Sequence, residues 1–90
     1  MDFTKIKTGD ILQIKGKKYG VVEAWYEDWD ILPSGKERWY SVFEMVGIKS
    51  GKITATHKII HYHDEKEIFL LDKISGKKME IEKRDVEQSL

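Results

Sequence analysis

Glu23–Met45, EAWYEDWDILPSGKERWYSVFEM, decides the fold of this chain. It gathers all three tryptophans and two of the four tyrosines around one turn, Pro33-Ser34-Gly35-Lys36. Pro33 fixes φ for the second position of a type I turn, and Gly35 can take the left-handed conformation that a following bulge needs. On either side lie Trp29-Asp30-Ile31-Leu32 and Arg38-Trp39-Tyr40-Ser41-Val42-Phe43, built from aromatic and β-branched types that suit a pleated surface. A hairpin cornered at Pro33 brings Trp29 and Trp39 across from one another. A helix competes, because Ser34 and Glu37 have capping-box spacing and Trp39, Val42, Phe43 and Val46 recur at helical intervals before Gly47. The aromatic and β-branched content favours the hairpin; strand or helix over Lys36 to Val46 stays open at the level of sequence.

Outward from that corner the chain divides into short strands. Met1 to Thr8 is a lead-in with Phe3 and Ile6 available for packing. Ile11 to Lys15 and Tyr19 to Tyr26 form a first hairpin about Gly16-Lys17, and Glu27-Asp28 marks the next reversal. The two glycines of Gly47 to Gly51 place a turn before a long strand from Lys52 to His63. Asp64-Glu65-Lys66 leads into Glu67 to Asp72, and Ser75-Gly76-Lys77 into an edge strand, Lys78 to Glu82. Lys83 to Leu90 is expected to form one or two helical turns that tuck in Val86 and Leu90. Turn signals every 8 to 12 residues or so predict an all-β antiparallel meander closing toward a small barrel, with a short C-terminal helical turn. The 90 residues fit one domain, 1–90, with one small core.

Hydrophobic residues make up 40% and charged residues 36%, the balance of a well-solvated globular domain. No apolar run approaches the roughly 18 to 20 residues a membrane span needs, and the N-terminus lacks a signal-peptide core, so a cytoplasmic protein without membrane contact is expected. Without cysteine, disulfides, thiolate metal sites and thiol catalysis are excluded. That absence, with abundant Lys, Glu and Ile and a single Pro, leans toward a thermophilic source. Sixteen basic and sixteen acidic side chains cancel, which leaves only a local basic patch to argue for nucleic acid.

The opening Gly9-Asp10-Ile11-Leu12-Gln13-Ile14-Lys15-Gly16-Lys17-Lys18-Tyr19-Gly20-Val21-Val22 resembles the first hairpin of SH3-like small barrels, including the KOW type of translation and transcription factors. The ending, Gly76 to Glu87, is similar to the last strand and short helical turn that close such barrels. The two pieces cover less than a third of the chain, and the tryptophan-rich middle departs from the family. The resemblance implies a binding fold more than an activity.

Three constellations carry the functional expectations. Trp25, Tyr26, Trp29, Trp39 and Tyr40 form an aromatic group that fills a core, makes a self-association surface, or makes a ligand surface on which bases stack or a peptide is gripped. Neighbours on one strand point to opposite faces, so both faces of this region must carry rings. Glu23, Glu27, Asp28 and Asp30 are interleaved with those rings; they repel a phosphate backbone and suit water or a basic partner. Lys15, Lys17 and Lys18 at the first hairpin and Lys77 and Lys78 at the last, with Lys73 and Arg84 nearby, are the candidates for phosphate contact. Tyr19 is the candidate for base stacking; lysine-rich hairpin tips also serve solubility alone. His57, His61 and His63 share strand parity, with His61 and His63 about 6 to 7 Å apart, and are the metal candidates, with Asp64, Glu65 and Asp72 as neighbouring carboxylates. Exposed histidines are the commoner reading of that pattern. There is no Gly-rich phosphate loop, no activated nucleophile and no identifiable base for Ser41, so neither enzymatic activity nor a cofactor is expected. The sequence predicts a non-enzymatic binding module, for nucleic acid first, for another protein or a second copy of itself next, and a small metalloprotein ligated by His57, His61 and His63 third.

Overall fold

Alternation of apolar and polar residues gives seven strands in a computed structural model that describes residues 3–89. They are β1 (Ile11–Ile14), β2 (Lys17–Ile31), β3 (Glu37–Lys49), β4 (Lys52–Tyr62), β5 (Ile68–Asp72), β6 (Lys78–Ile81) and β7 (Val86–Ser89), with 3₁₀ turns at Phe3–Lys5 and Lys83–Asp85. All neighbours are antiparallel in the order β6-β5-β4-β3-β2-β1-β7. The sheet curls into a half-barrel. Residues 82–85 carry the chain from one edge strand to the other, so the facing ends of β6 and β7 lie at most about 18 Å apart. Asp85 holds this bridge by accepting the Glu82 N–H at 2.8 Å, and its carbonyl accepts the Lys15 N–H at 3.2 Å.

The Pro33 corner is a hairpin, and the stretch from Glu37 is strand. Gly35 sits at φ 84° and donates its N–H to the Leu32 carbonyl at 2.8 Å, while Leu32 donates to Lys36 at 2.9 Å. These bonds define a type I turn followed by a glycine bulge. A Cβ added at Gly35 meets nothing within 4 Å, so Gly35→Ala isolates the backbone cost of the left-handed conformation. Its expected effect in urea unfolding is a loss of about 1 kcal/mol.

Three expectations are corrected. Glu27-Asp28 is not a reversal: β2 runs unbroken to Ile31, and these two residues pair with Ser41 and Tyr40. Two register irregularities, between Val21 and Glu23 and between Glu23 and Tyr26, each give β2 one residue more than β3; such extra residues bend a strand without ending it. The turn expected over Gly47 to Gly51 is only Ser50-Gly51, both at positive φ, and Gly47 is inside β3. The C-terminal segment makes a single 3₁₀ turn and then becomes β7 on the free side of β1, with Val86 buried; Leu90 lies outside the described residues.

The curl gives the sheet two unequal faces. Leu12, Ile14, Phe43, Met45 and Ile59, all fully buried, centre the concave core, which Phe3 and Ile6 cover from the N-terminal segment. The convex face has its own cluster of Tyr40, Val42, Ile60 and Tyr62, with Tyr26, Phe69 and Leu71 packed against it. This second cluster is covered by charged side chains of the same chain. The Arg38 guanidinium lies 3.7 Å from the centre of the Tyr62 ring, and Lys78 Nζ lies 4.3 Å from that of Phe69; the cationic heads sit over the rings, Arg38 also pairing with Asp64 and Glu65 and Lys78 donating to the Tyr62 hydroxyl.

Burial pushes the Tyr40 phenol up to about 12, with the Asp28 and Asp30 carboxylates adding to it. Burial likewise raises Tyr62, assisted by its hydrogen bond to Asp30. A folded pKa above the unfolded value near 10.0 means stability fully present below pH 10 and lost as pH rises toward 12. The expected outcome is a steep alkaline unfolding above about pH 11, with phenolate absorbance appearing together with loss of structure. At the acid end Glu44 is held below its ordinary 4.5 by the hydrogen bond from Lys73, with Lys58 3.7 Å away. Its contribution is present above pH 4.5 and is lost as pH falls.

Candidate protein-interaction surface

The antiparallel register sets a row of side chains across the upper half of the concave face. Glu27 opposes Ser41, Ser41 opposes His61, and His61 opposes Ile68. Trp25 packs in a T-shaped pair with Phe43, with ring centres 4.5 Å apart, and its indole N–H donates to the Phe3 carbonyl. Trp25, Ser41, His61 and Ile68, from four successive strands, line a cleft of about 730 Å³ closed by Phe3, Lys66 and Lys83. Next along the hairpin Trp29 and Trp39 face each other at 5.2 Å and 36°. They are 48% and 41% exposed, and the Trp39 indole N–H donates to Glu37 at 3.2 Å. The result is an aromatic strip running from an apolar cleft to an exposed indole pair, edged by Glu27 and Glu37.

The five aromatic candidates therefore separate. Trp25, Trp29 and Trp39 lie on the concave side, whereas Tyr26 and Tyr40 belong to the convex cluster. The lysines separate as well. Lys18 on β2 and Lys78 on β6 are four strands apart, about 19 Å along the sheet. Lys15 lies 4.0 Å from Asp85, and Lys78 covers Tyr62 and Phe69. Lys17 and Lys18 are joined instead by Lys49, around a lower cleft of about 620 Å³; Lys77 stays exposed in the β5–β6 loop. Tyr19, the stacking candidate, is 5% exposed and packs edge-on against His57 at 5.1 Å, so its ring is part of the core.

The histidines share the concave face without converging. His57 is opposite Asp72, while His61 lies four residues further along β4, about 13 Å. His61 Nε2 donates to the Glu65 carbonyl at 3.0 Å, and His63 Nε2 is 3.0 Å from Ser41 Oγ. Among the described residues no group of three or more His, Cys, Asp or Glu is placed to hold a metal ion.

The Ser41–His63 contact was missed in the sequence; its signal is the parity of Ser41 and His61 once the β3–β4 register is known. Glu27 approaches the same ring nitrogen, Nε2, at 3.9 Å. A nucleophile-activating triad needs the carboxylate on the far nitrogen, so this contact ties β2, β3 and the end of β4 together without that geometry. Among the described residues no helix is long and apolar enough to cross a membrane. Comparison with family models, with curated proteins and with solved structures returned no match.

Proposed function

We propose that this chain is a non-enzymatic binding module that engages a segment of another protein along Trp25, Trp29 and Trp39. The observation that carries the reading is the exposed Trp29–Trp39 pair standing beside an apolar cleft on one face. Partly exposed aromatic residues next to a pocket are the commonest anchors of protein interfaces. Glu27 and Glu37 beside the indole pair favour a cationic partner there over a phosphate backbone, whereas Lys66 and Lys83 lie at the cleft end. The small-barrel resemblance of the first hairpin and last strand supports a binding role in the same direction.

A nucleic-acid reading keeps one supporting observation, the gathering of Lys17, Lys18 and Lys49 around the lower cleft. The two readings separate in one experiment. A random peptide library is panned against the protein and against Trp29→Ala/Trp39→Ala, and retention of an RNA pool is measured at low and physiological salt. Peptides enriched on the wild type and lost on the variant support the protein-binding reading. Salt-sensitive RNA retention without peptide enrichment overturns it.

A further inference from the structure

We infer that the partner is a basic, extended segment that joins the sheet as an added strand along the free edge of β2, over Tyr26–Ile31. This inference rests on the protein-binding reading and names the partner's chemistry and docking mode.

β2 is longer than its neighbour. β1 pairs only with Lys17–Gly20. Just beyond, Val21 exchanges backbone bonds with Gly9 and Asp10, and the Ala24 N–H reaches the Thr8 hydroxyl. From Tyr26 to Ile31 the described strands offer β2 a partner on the β3 side alone. The phase of that ladder is set at the turn, where Leu32 donates to the Lys36 carbonyl. Residues alternate from there, so Asp30, Asp28 and Tyr26 bond to β3, while Ile31, Trp29 and Glu27 turn their N–H and C=O groups outward. The Trp29 N–H accordingly meets only the Asp28 carboxylate, at 2.9 Å. A row of outward amide and carbonyl groups is a template for another strand.

Charge decides what that strand is. Glu23–Ile31 contains four carboxylates, Glu23, Glu27, Asp28 and Asp30, and no Lys or Arg. Pairing with a second copy sets carboxylates against one another across the strands, which is unfavourable. Asp30 already accepts the Tyr62 hydroxyl, and Arg38 opposite it is engaged with Asp64 and Glu65, so Asp28 on the convex side selects the partner, with Glu27 adding its charge from the concave side. The side chains of β2 alternate, with Trp29 and the 71% exposed Ile31 on the concave side and Asp28 and Asp30 on the convex side. An incoming strand that alternates apolar with basic residues meets both sets at once.

The probe is an eight-residue peptide alternating Lys with Val, compared with its Glu/Val counterpart and with a Lys/Val version N-methylated at alternate backbone nitrogens. Binding is followed by tryptophan emission and by amide hydrogen exchange on the full chain. The Lys/Val peptide is expected to bind and to slow exchange at the Trp29 and Ile31 amides at least tenfold. N-methylation is expected to weaken it at least tenfold, and the Glu/Val peptide to leave the emission unchanged. Glu27→Lys/Asp28→Lys reverses the preference. Ile31→Pro, which removes an outward N–H and no ladder bond, weakens binding tenfold with exchange at Asp30 unaltered. Binding of the Lys/Val peptide with Trp29 and Ile31 exchanging at their free rates overturns strand addition and leaves the protein-binding reading standing. Failure of both probe peptides and of every library-selected peptide to bind overturns both.

Discussion

Phe43→Ala is expected to lower the unfolding free energy by about 3–5 kcal/mol, the cost of truncating a fully buried aromatic ring. Phe43 is 0% exposed, lies on the central strand opposite Ile59, and packs in a T-shaped pair with Trp25. A 90-residue domain holds about 5–13 kcal/mol in all, so this one substitution removes a large share of it. The corresponding fall in Tm is about 15–30 °C. Denaturant and thermal unfolding check it directly. A loss below about 1 kcal/mol is incompatible with Phe43 at the centre of a packed concave face. The effect extends to function, because Trp25, which lines the upper cleft, is positioned by that ring.

The Trp29→Ala/Trp39→Ala variant is expected to behave in the opposite way. Its rings lie beyond the core, and their mutual contact is worth about 0.5–1.5 kcal/mol, so stability changes little. Affinity for a selected peptide falls at least thirtyfold, the roughly 2 kcal/mol typical of an interface anchor. Lys77→Ala serves as the control, since Lys77 is exposed in the β5–β6 loop, away from the aromatic strip and the β2 edge; affinity is unchanged. Isothermal titration of the three proteins with one peptide gives the comparison. Equal affinity of the double variant and the wild type removes the indole pair from the binding surface.

What the sequence made legible was local. The Pro33–Gly35 corner has its own chemistry, fixed φ at one residue and left-handed freedom at another, and the strands on either side follow from it. What stayed hidden depends on neighbours distant in sequence. Glu27 and Asp28 look like a loop because carboxylates are rare in strands, yet on a free edge they discourage unwanted pairing. Gly47 looks like a turn residue, but it lies within β3 where an added Cβ would collide with Thr54 Oγ1, so the small residue answers to crowding from β4. Lys18 and Lys78 look like one basic patch until the strand order sets three strands between them. Ser41 meets His63 only through the β3–β4 register, which no spacing along the chain reveals. Both faces of the aromatic hairpin carry rings, as strand alternation required, but the cover on the convex side comes from Arg38 and Lys78, whose cationic heads are not read as packing groups in a sequence.

The measurement that tests the central claim most directly is tryptophan emission during titration with a library-selected peptide and, separately, with an RNA pool at low and physiological salt. The three indoles all belong to the proposed surface, so occupancy reports on it without a label. The expected result is a saturable change with the peptide that Trp29→Ala/Trp39→Ala abolishes, and no response to RNA at either salt concentration. Quenching by RNA that reverses as salt rises, with no response to peptide, contradicts the assignment and moves the function to the lysines around the lower cleft.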